Sequence, residues 1–235
     1  MYNGPVPDHT IGTGMNEEDL ARLVPFWREL TDNQQAIIAE RSRQMRYAAG
    51  EHVQGAGHGC AGVVFVKAGR LRAFMISEQG REVTLFHVGS GECCVLAASC
   101  ILPMITFDIA LDAAEDSDLL VIDSKTFGAL AQDNIHAEAF TYRQATERFS
   151  DCMWVMQQVL FMGLDARLAI WLLDEAARGG SPRIAATHDE IARHLGSARE
   201  AVSRMLKYFA REGLVRLSRG AVEIVDARRL RQLTT

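Results

Sequence analysis

The sequence predicts an α+β chain in three parts: an N-terminal antiparallel barrel or jelly-roll-like domain, one long helix, and a C-terminal pair of short helices followed by a hairpin. Three observations predict it. Short apolar runs punctuated by glycine fill the stretch after Gly50; a segment without proline or glycine runs from Asn134 to Met162; and helix-capping patterns stand on both sides of a glycine at Gly196.

Met1 to Gly14 reads as a loose tail. It has no basic region followed by an apolar block, so no secretory signal is expected there. Glu17 to Arg46 reads as a helical stretch, with apolar residues at Leu20, Leu23, Val24, Ile37 and Ile38. After Gly50 the period shortens. Val63–Val66, Leu71–Ile76, Glu82–Val88 and Leu119–Ile122 are strand candidates, and Ser77-Glu78-Gln79-Gly80 has hairpin-turn chemistry because glycine tolerates positive φ. Many short strands at near-regular spacing predict an antiparallel barrel or jelly roll.

From Asn134 to Met162, apolar residues recur at Phe149, Cys152, Met153, Met156, Val159 and Leu160. Steps of three and four put them on one helix face. Two partners can cover such a face: a second copy of the same helix, giving a coiled-coil-like homodimer seam, or the chain's own barrel. The first is the more economical reading for a helix between two domains.

The next helix is expected over Asp165 to Arg178, stopped by Gly179-Gly180. Thr187-His188-Asp189-Glu190 then has the capping-box pattern, with Ile191, Ala192 and Leu195 as the apolar face and Gly196 as the stop. Ser197-Ala198-Arg199-Glu200 repeats the pattern, and Val202, Leu206, Phe209 and Ala210 follow inward until Gly213. Two short helices around a glycine turn are the helix-turn-helix pattern. Leu214–Leu217 and Ala221–Val225 flank Ser218-Arg219-Gly220 as a hairpin, which makes the motif winged.

In such a motif the first turns of the second helix meet base edges in the major groove. The outward residues there are Arg199, Glu200, Ser203 and Arg204. Arginine suits the O6/N7 edge of guanine, a carboxylate accepts from cytosine N4, and serine contacts several edges. Lys207, Arg211, Arg216 and Arg219 are phosphate candidates, and Thr187 and Ser197 at the helix starts complete the predicted DNA-binding set. The plain alternative is a solvated helix face with a Glu200–Arg204 pair. His188 and His194 are expected to face solvent.

Charge distribution supports a nucleic-acid partner. The net charge is −5, yet from Ser181 onward eleven Arg and Lys face six Asp and Glu, a net of +5 that leaves −10 for the rest. An apolar fraction of 48% suffices for a packed core. No window offers about 18 uncharged apolar residues, so no membrane span is expected. Five cysteines without a signal peptide fit reduced thiols in a cytoplasmic protein. No nucleophile elbow, phosphate loop or zinc-spaced His/Glu set occurs, so an enzyme is not expected.

These motifs resemble the Crp/Fnr family of transcription regulators over about Pro25 to Leu233. The carriers are Thr187 through Arg204, the Val66–Leu71 and Glu78–Val83 stretches, and Gly91-Glu92. The resemblance implies a cyclic-nucleotide-binding-like β-roll sensor over 17–131, a dimerisation helix over 132–163 and a winged helix-turn-helix over 164–235. It also implies RNA polymerase as a partner and an inverted-repeat operator with one half-site per protomer. Glu200, Ser203 and Arg204 fall on the family's base-reading positions. Their pattern resembles the anaerobic branch, which implies a TTGAT-like half-site, whereas Arg199 is shared with the cyclic-AMP branch.

The effector is less legible. In the cyclic-nucleotide branch a Gly-Glu-Leu segment precedes an Arg-Ser pair that grips the phosphate. The corresponding stretch here, Gly91 to Asp108, has no Arg or Lys, and a buried phosphate without a cation is poorly compensated. Cyclic AMP is therefore not the expected ligand, although a cyclic-nucleotide module remains an alternative. The N-terminal cysteine cluster of the oxygen-sensing branch is absent, since no cysteine precedes Cys60. Around Gly91 to Cys100 the chain also resembles the family's carbon-monoxide-sensing haem regulator, but that protein's ligands fall on Val95 and Ala97, which do not bind iron. His58, His87, Cys93, Cys94 and Cys100 are the remaining candidates for haem, another metal, or thiol redox sensing of a gas or small molecule. Buried apolar packing is the simpler role for the cysteines. Cys93 and Cys94 point to opposite faces of a strand, and Cys94 with Cys100 is the better candidate pair.

Overall fold

The computed structural model describes residues 9–13, 17–54, 62–96 and 109–234. They fall into two compact units, one within Met1–Met75 and Leu85–Asp151, the other within Ile76–Thr84 and Cys152–Thr235. His58 and Cys100 lie outside the described residues.

The first unit is built on β-strands. A five-stranded sheet has the order β1-β2-β9-β4-β7, formed by Thr10–Thr13, Ser42–Tyr47, Ser117–Ile122, Val63–Ala68 and Cys93–Cys94. A four-stranded sheet has the order β3-β8-β5-β6, formed by His52–Gln54, Ala110–Ala113, Arg70–Ile76 and Glu82–Gly89. Antiparallel pairing puts β9 between β2 and β4, in register Met45↔Leu119 on one side and Phe65↔Leu120 on the other. The four strands expected from apolar runs all form. The Ser77–Gly80 turn also forms, with Gly80 at φ +76 and its N–H donating to Ser77 O at 2.8 Å.

Two sequence expectations need correction in this unit. Glu17–Arg46 is not one helical stretch: α1 (Glu17–Leu23) and α2 (Asp32–Arg41) are separate helices, and α2 ends at Ser42, where ψ is 148 and the chain enters β2. A capping box at Thr31 and Gln34 starts α2. Nor is the whole of Met1–Gly14 a loose tail, since Thr10–Thr13 pairs with β2. Both polar segments take strand conformation from backbone bonding to a neighbour, a signal that side-chain periodicity does not carry.

The core centres on Phe65, Leu71, Leu111, Leu120, Ile122 and Phe127, all essentially inaccessible. Helix α3 (Ser124–Asp133) contributes Phe127, and the long helix α4 (Ile135–Phe161) contributes Ala137, Phe140 and Thr141. Phe140 stacks on Phe65 at 6.4 Å and meets Phe26 at 5.1 Å, so the start of α4 is clamped to the roll. Further along α4 the apolar stripe is open. Phe149, Met153, Met156, Val159 and Leu160 are exposed.

Candidate nucleic-acid interface

The second unit begins its helical part with α5 (Leu164–Gly179), closed by Gly180 at φ +59. Leu168 and Leu172 of α5, Ile191 of α6 (His188–Leu195), and Val202, Leu206 and Phe209 of α7 (Arg199–Arg211) form one buried cluster. Burial of these large apolar side chains stabilises the unit by roughly 1.5–3 kcal/mol each. It fixes α6 against α7 and leaves the opposite face of α7 outward.

Helix α6 starts on the predicted capping box. Thr187 Oγ1 accepts from Glu190 N at 3.2 Å, and Glu190 Oε2 accepts from Thr187 N at 2.6 Å. The backbone hydrogen bond from Thr187 is the main cause that holds the Glu190 carboxyl below its ordinary range. At the other end Gly196, at φ +59, lets Ser197 N reach back to Ala192 O at 3.0 Å. A Cβ at Gly196 would also lie 2.3 Å from Val83 Cγ2, so the turn excludes a side chain on two counts.

The second capping box does not form. Helix α7 begins one residue later than expected: its N-cap is Ala198, which has no side-chain oxygen to offer. Ser197 is instead consumed in the closure of α6. His194 also departs from expectation. Three residues after Ile191, it lies on the packed side of α6, with its ring 5.7 Å from Trp171 and Nδ1 3.0 Å from Thr84 Oγ1. His188 is half-buried.

The wing forms from β11 (Val215–Ser218) and β12 (Ala221–Ile224), paired from Val215↔Ile224 to Ser218↔Ala221 around Arg219-Gly220. Gly220, the second of the two turn residues, takes a positive φ of +70, which glycine adopts without a steric cost. A third strand, β10 (Arg183–Ala185), pairs with β12 and was not foreseen. Its three residues are too short a run to show period two, and only Ile184 is buried. The short α8 (Ala227–Gln232) closes the unit through Leu230.

On this scaffold Thr187, Arg199, Glu200, Arg204, Lys207 and Arg219 are exposed, and Ser197 and Ser203 are half-buried. Among the described residues Arg199, Arg204, Lys207 and Arg219 make no ion pair, and the Glu200–Arg204 pair of the plain alternative does not form. By contrast, Arg216 is 3.0 Å from Glu223 on the paired strand, and Arg211 is 3.7 Å from Glu212. Thr187, His188, Arg199, Ser218, Arg219 and Gly220 help to line a cleft of about 610 Å³ between the wing tip and the start of α6. The arrangement offers cations and a helix N-terminus to a polyanion.

In the roll, β7 pairs Cys94 with Val64 and Cys93 with Phe65. Both cysteines are buried and neither is in a disulfide, and Cys93 Sγ is 3.5 Å from Gln144 Oε1. Burial, reinforced by the neighbouring Cys94, pushes the Cys93 thiol far up. Such a thiol lacks the thiolate character that redox sensing requires. His87 is half-buried in β6 and Val95 is fully buried. Among the described residues no group of three or more His, Cys, Asp or Glu side chains is placed to hold a metal, and no helix there is long and apolar enough to cross a membrane.

A strand roll joined through a long helix to a winged helix-turn-helix with an outward cationic face defines a DNA-binding regulator. The chain belongs to the Crp/Fnr family of transcription regulators. The family model for the cyclic nucleotide-binding domain matches residues 44–134, and that for the Crp-like helix-turn-helix domain matches residues 166–233. A Crp/Fnr-family transcriptional regulator from Eubacterium rectale is 36% identical in sequence and superposes with a TM-score of 0.87, over 90% of this chain and 98% of that one. The cyclic AMP receptor protein of Thermus thermophilus is 29% identical over 72% of this chain and 77% of its own length. The transcriptional activator protein Anr of Pseudomonas aeruginosa is 26% identical over 81% of this chain and 79% of its own length.

Proposed function

We propose that this regulator acts as a cytoplasmic homodimer, with the α4 helices paired and the two α7 helices reading the half-sites of an inverted repeat. One observation carries the reading: the outward face at the start of α7 and the wing tip hold Arg199, Arg204, Lys207 and Arg219 without ion-pair partners among the described residues. Exposed cations of this kind are matched by phosphates and guanine edges. Glu200, Ser203 and Arg204 would read bases, which favours TTGAT-like half-sites. Thr187, Ser197, Lys207 and Arg219 would fix the register on the backbone. RNA polymerase would be the partner on bound DNA.

The signal would enter through the roll. Cyclic AMP is disfavoured because the stretch Gly91 to Asp108 carries no cation to hold its phosphate. The buried, high-pKa Cys93 turns the reading away from thiol redox at that residue and toward a small effector.

Selection of bound duplexes from a random-sequence pool tests the DNA reading. Enrichment of an inverted repeat whose half-sites lie about one helical turn apart, roughly 34 Å, supports it. Recovery of unrelated sequences would refute it. An absorption spectrum of anaerobically purified protein, before and after air and carbon monoxide, separates a haem or metal effector from a colourless one.

A further inference from the structure

We propose that Arg167 is a positioning residue for DNA reading: it holds the Leu195 carbonyl at the end of α6 and so fixes the turn that aims Arg199, Glu200, Ser203 and Arg204. The proposal rests on the reading of α7 as the recognition helix and adds to it a residue outside the reading face.

Arg167 lies in the first turn of α5, and its Nη1 donates to Leu195 O at 2.8 Å. Leu195 is the last residue of α6, and its carbonyl is one of those that a helix end leaves without an intrahelical donor. The closing turn serves other carbonyls: Gly196 N reaches back to Arg193 O, and Ser197 N to Ala192 O. Arg167 therefore supplies what this backbone turn does not. Among the described residues its guanidinium has no carboxylate within ion-pair distance, and burial pushes its pKa down. What offsets the charge is the negative end of α6, where a cation is stabilised. One turn further along α5, the Trp171 ring lies 5.7 Å from the His194 ring. The last two residues of α6 are thus each gripped by α5, Leu195 through its carbonyl and His194 through its ring.

The turn is short, so the grip reaches the reading face. Gly196, Ser197 and Ala198 alone separate Leu195 from Arg199. Hydrogen bonds to base edges hold only within a distance window of about 0.5 Å. A tilt at Leu195 displaces all the side chains at the start of α7 together. Phosphate contacts tolerate such a tilt better, because the flexible stem of a lysine lets its charge follow the backbone. Loss of Arg167 should therefore cost discrimination between sequences more than affinity for DNA in general.

The test uses the full chain, folded and well below its melting temperature. Affinities for the selected duplex and for a scrambled one are measured on wild type and variants, and amide hydrogen exchange is followed at Gly196 and Ser197. Arg167→Met keeps the stem and loses the donor and the charge. Its ratio of specific to scrambled affinity should fall about tenfold, with scrambled affinity nearly unchanged and the Ser197 amide exchanging faster. Arg167→Lys returns a charged donor and should restore most of the ratio. Leu173→Ala, which removes packing from the same core, is the stability control: it should lower the melting temperature and leave the ratio as it is. If Arg167→Met does not fold, Arg167→Gln, which is shorter and uncharged, takes its place. An unchanged ratio in the folded, uncharged variant overturns the proposal. So does an equal fall in Leu173→Ala, because general loosening then explains the loss. A wild type that does not discriminate at all would sink the recognition-helix reading instead. In that case faster Ser197 exchange in Arg167→Met still supports the hold on the turn, and unchanged exchange refutes it.

Discussion

Thr187 and Glu190 hold each other at the start of the helix-turn-helix, with Thr187 Oγ1 taking the Glu190 N–H at 3.2 Å and Glu190 Oε2 taking the Thr187 N–H at 2.6 Å. The pair closes two of the backbone donors that a helix start leaves open. It also sets where α6 begins, and the buried contacts of Ile191 and Leu195 follow from that start. Thr187→Ala should destabilise the second unit by about 1 kcal/mol. In thermal unfolding this is a loss of several degrees, with helix content retained at low temperature. An unchanged melting point would mean that the packed face alone fixes the helix start.

The same pair predicts a pH dependence. The Glu190 carboxyl is held below its ordinary range in the folded chain, chiefly by the Thr187 backbone N–H. A group whose folded pKa is depressed adds stability that is complete above its unfolded pKa and is lost as pH falls through the folded one. Acidification through the glutamate range should therefore weaken the wild type more than Glu190→Gln. Parallel acid-stability curves for the two proteins would contradict this.

Much of the fold was legible because its cores are written in apolar runs. Val63–Val66 and Leu119–Ile122 are strands buried on both faces, and Phe149 to Leu160 shows its period plainly. Strands β1, β2 and β10 were not legible. TIGT, SRQMRY and RIA carry little periodicity, and only their pairing with β2, β9 and β12 makes them strands. On the interface the residue types showed where cations stand. Whether a cation is spent internally was decided by the fold, as Arg216 shows by pairing with Glu223 across the wing. Ser197 failed as a cap for a similar reason, since the closure of α6 had already claimed its position.

Arg204→Ala should remove specific operator binding while leaving the oligomeric state unchanged. An arginine that meets a guanine edge is worth about 1–3 kcal/mol of discrimination per half-site. Fluorescence anisotropy against the selected duplex and a scrambled one should show the ratio of affinities collapse toward one. Lys207→Ala should instead weaken both duplexes alike and flatten the dependence of affinity on salt, because a phosphate contact releases counterions. Retained discrimination in Arg204→Ala would move base reading to other residues.

Cys93 should resist alkylation in the folded protein. Its thiol is buried and pushed far up by desolvation, so the thiolate that attacks an alkylating reagent is scarce. Peptide mapping after brief iodoacetamide treatment should find Cys93 modified only once the chain is unfolded, and Cys152, which is partly accessible, modified sooner. Early modification of Cys93 would restore it as a redox candidate.

The apolar stripe of α4 should be the seam of the dimer. Ile135, Tyr142, Phe149 and Met156 recur every seven residues, Met153 and Leu160 fall between them at the complementary heptad position, and all are exposed in the single chain. A strict seven-residue repeat of this kind asks for a facing helix. The start of α4 is already committed to the roll through Phe140, so the partner must be found further along, where Phe149 to Leu160 stand open. Met153→Asp or Leu160→Asp puts a charge where the seam needs an apolar knob. Sedimentation equilibrium should show monomers, and circular dichroism should show little change, because the substituted side chains are exposed in the single chain. Operator affinity should fall by several orders of magnitude, because each monomer then holds one half-site without its neighbour. A variant that stays dimeric would place the seam elsewhere.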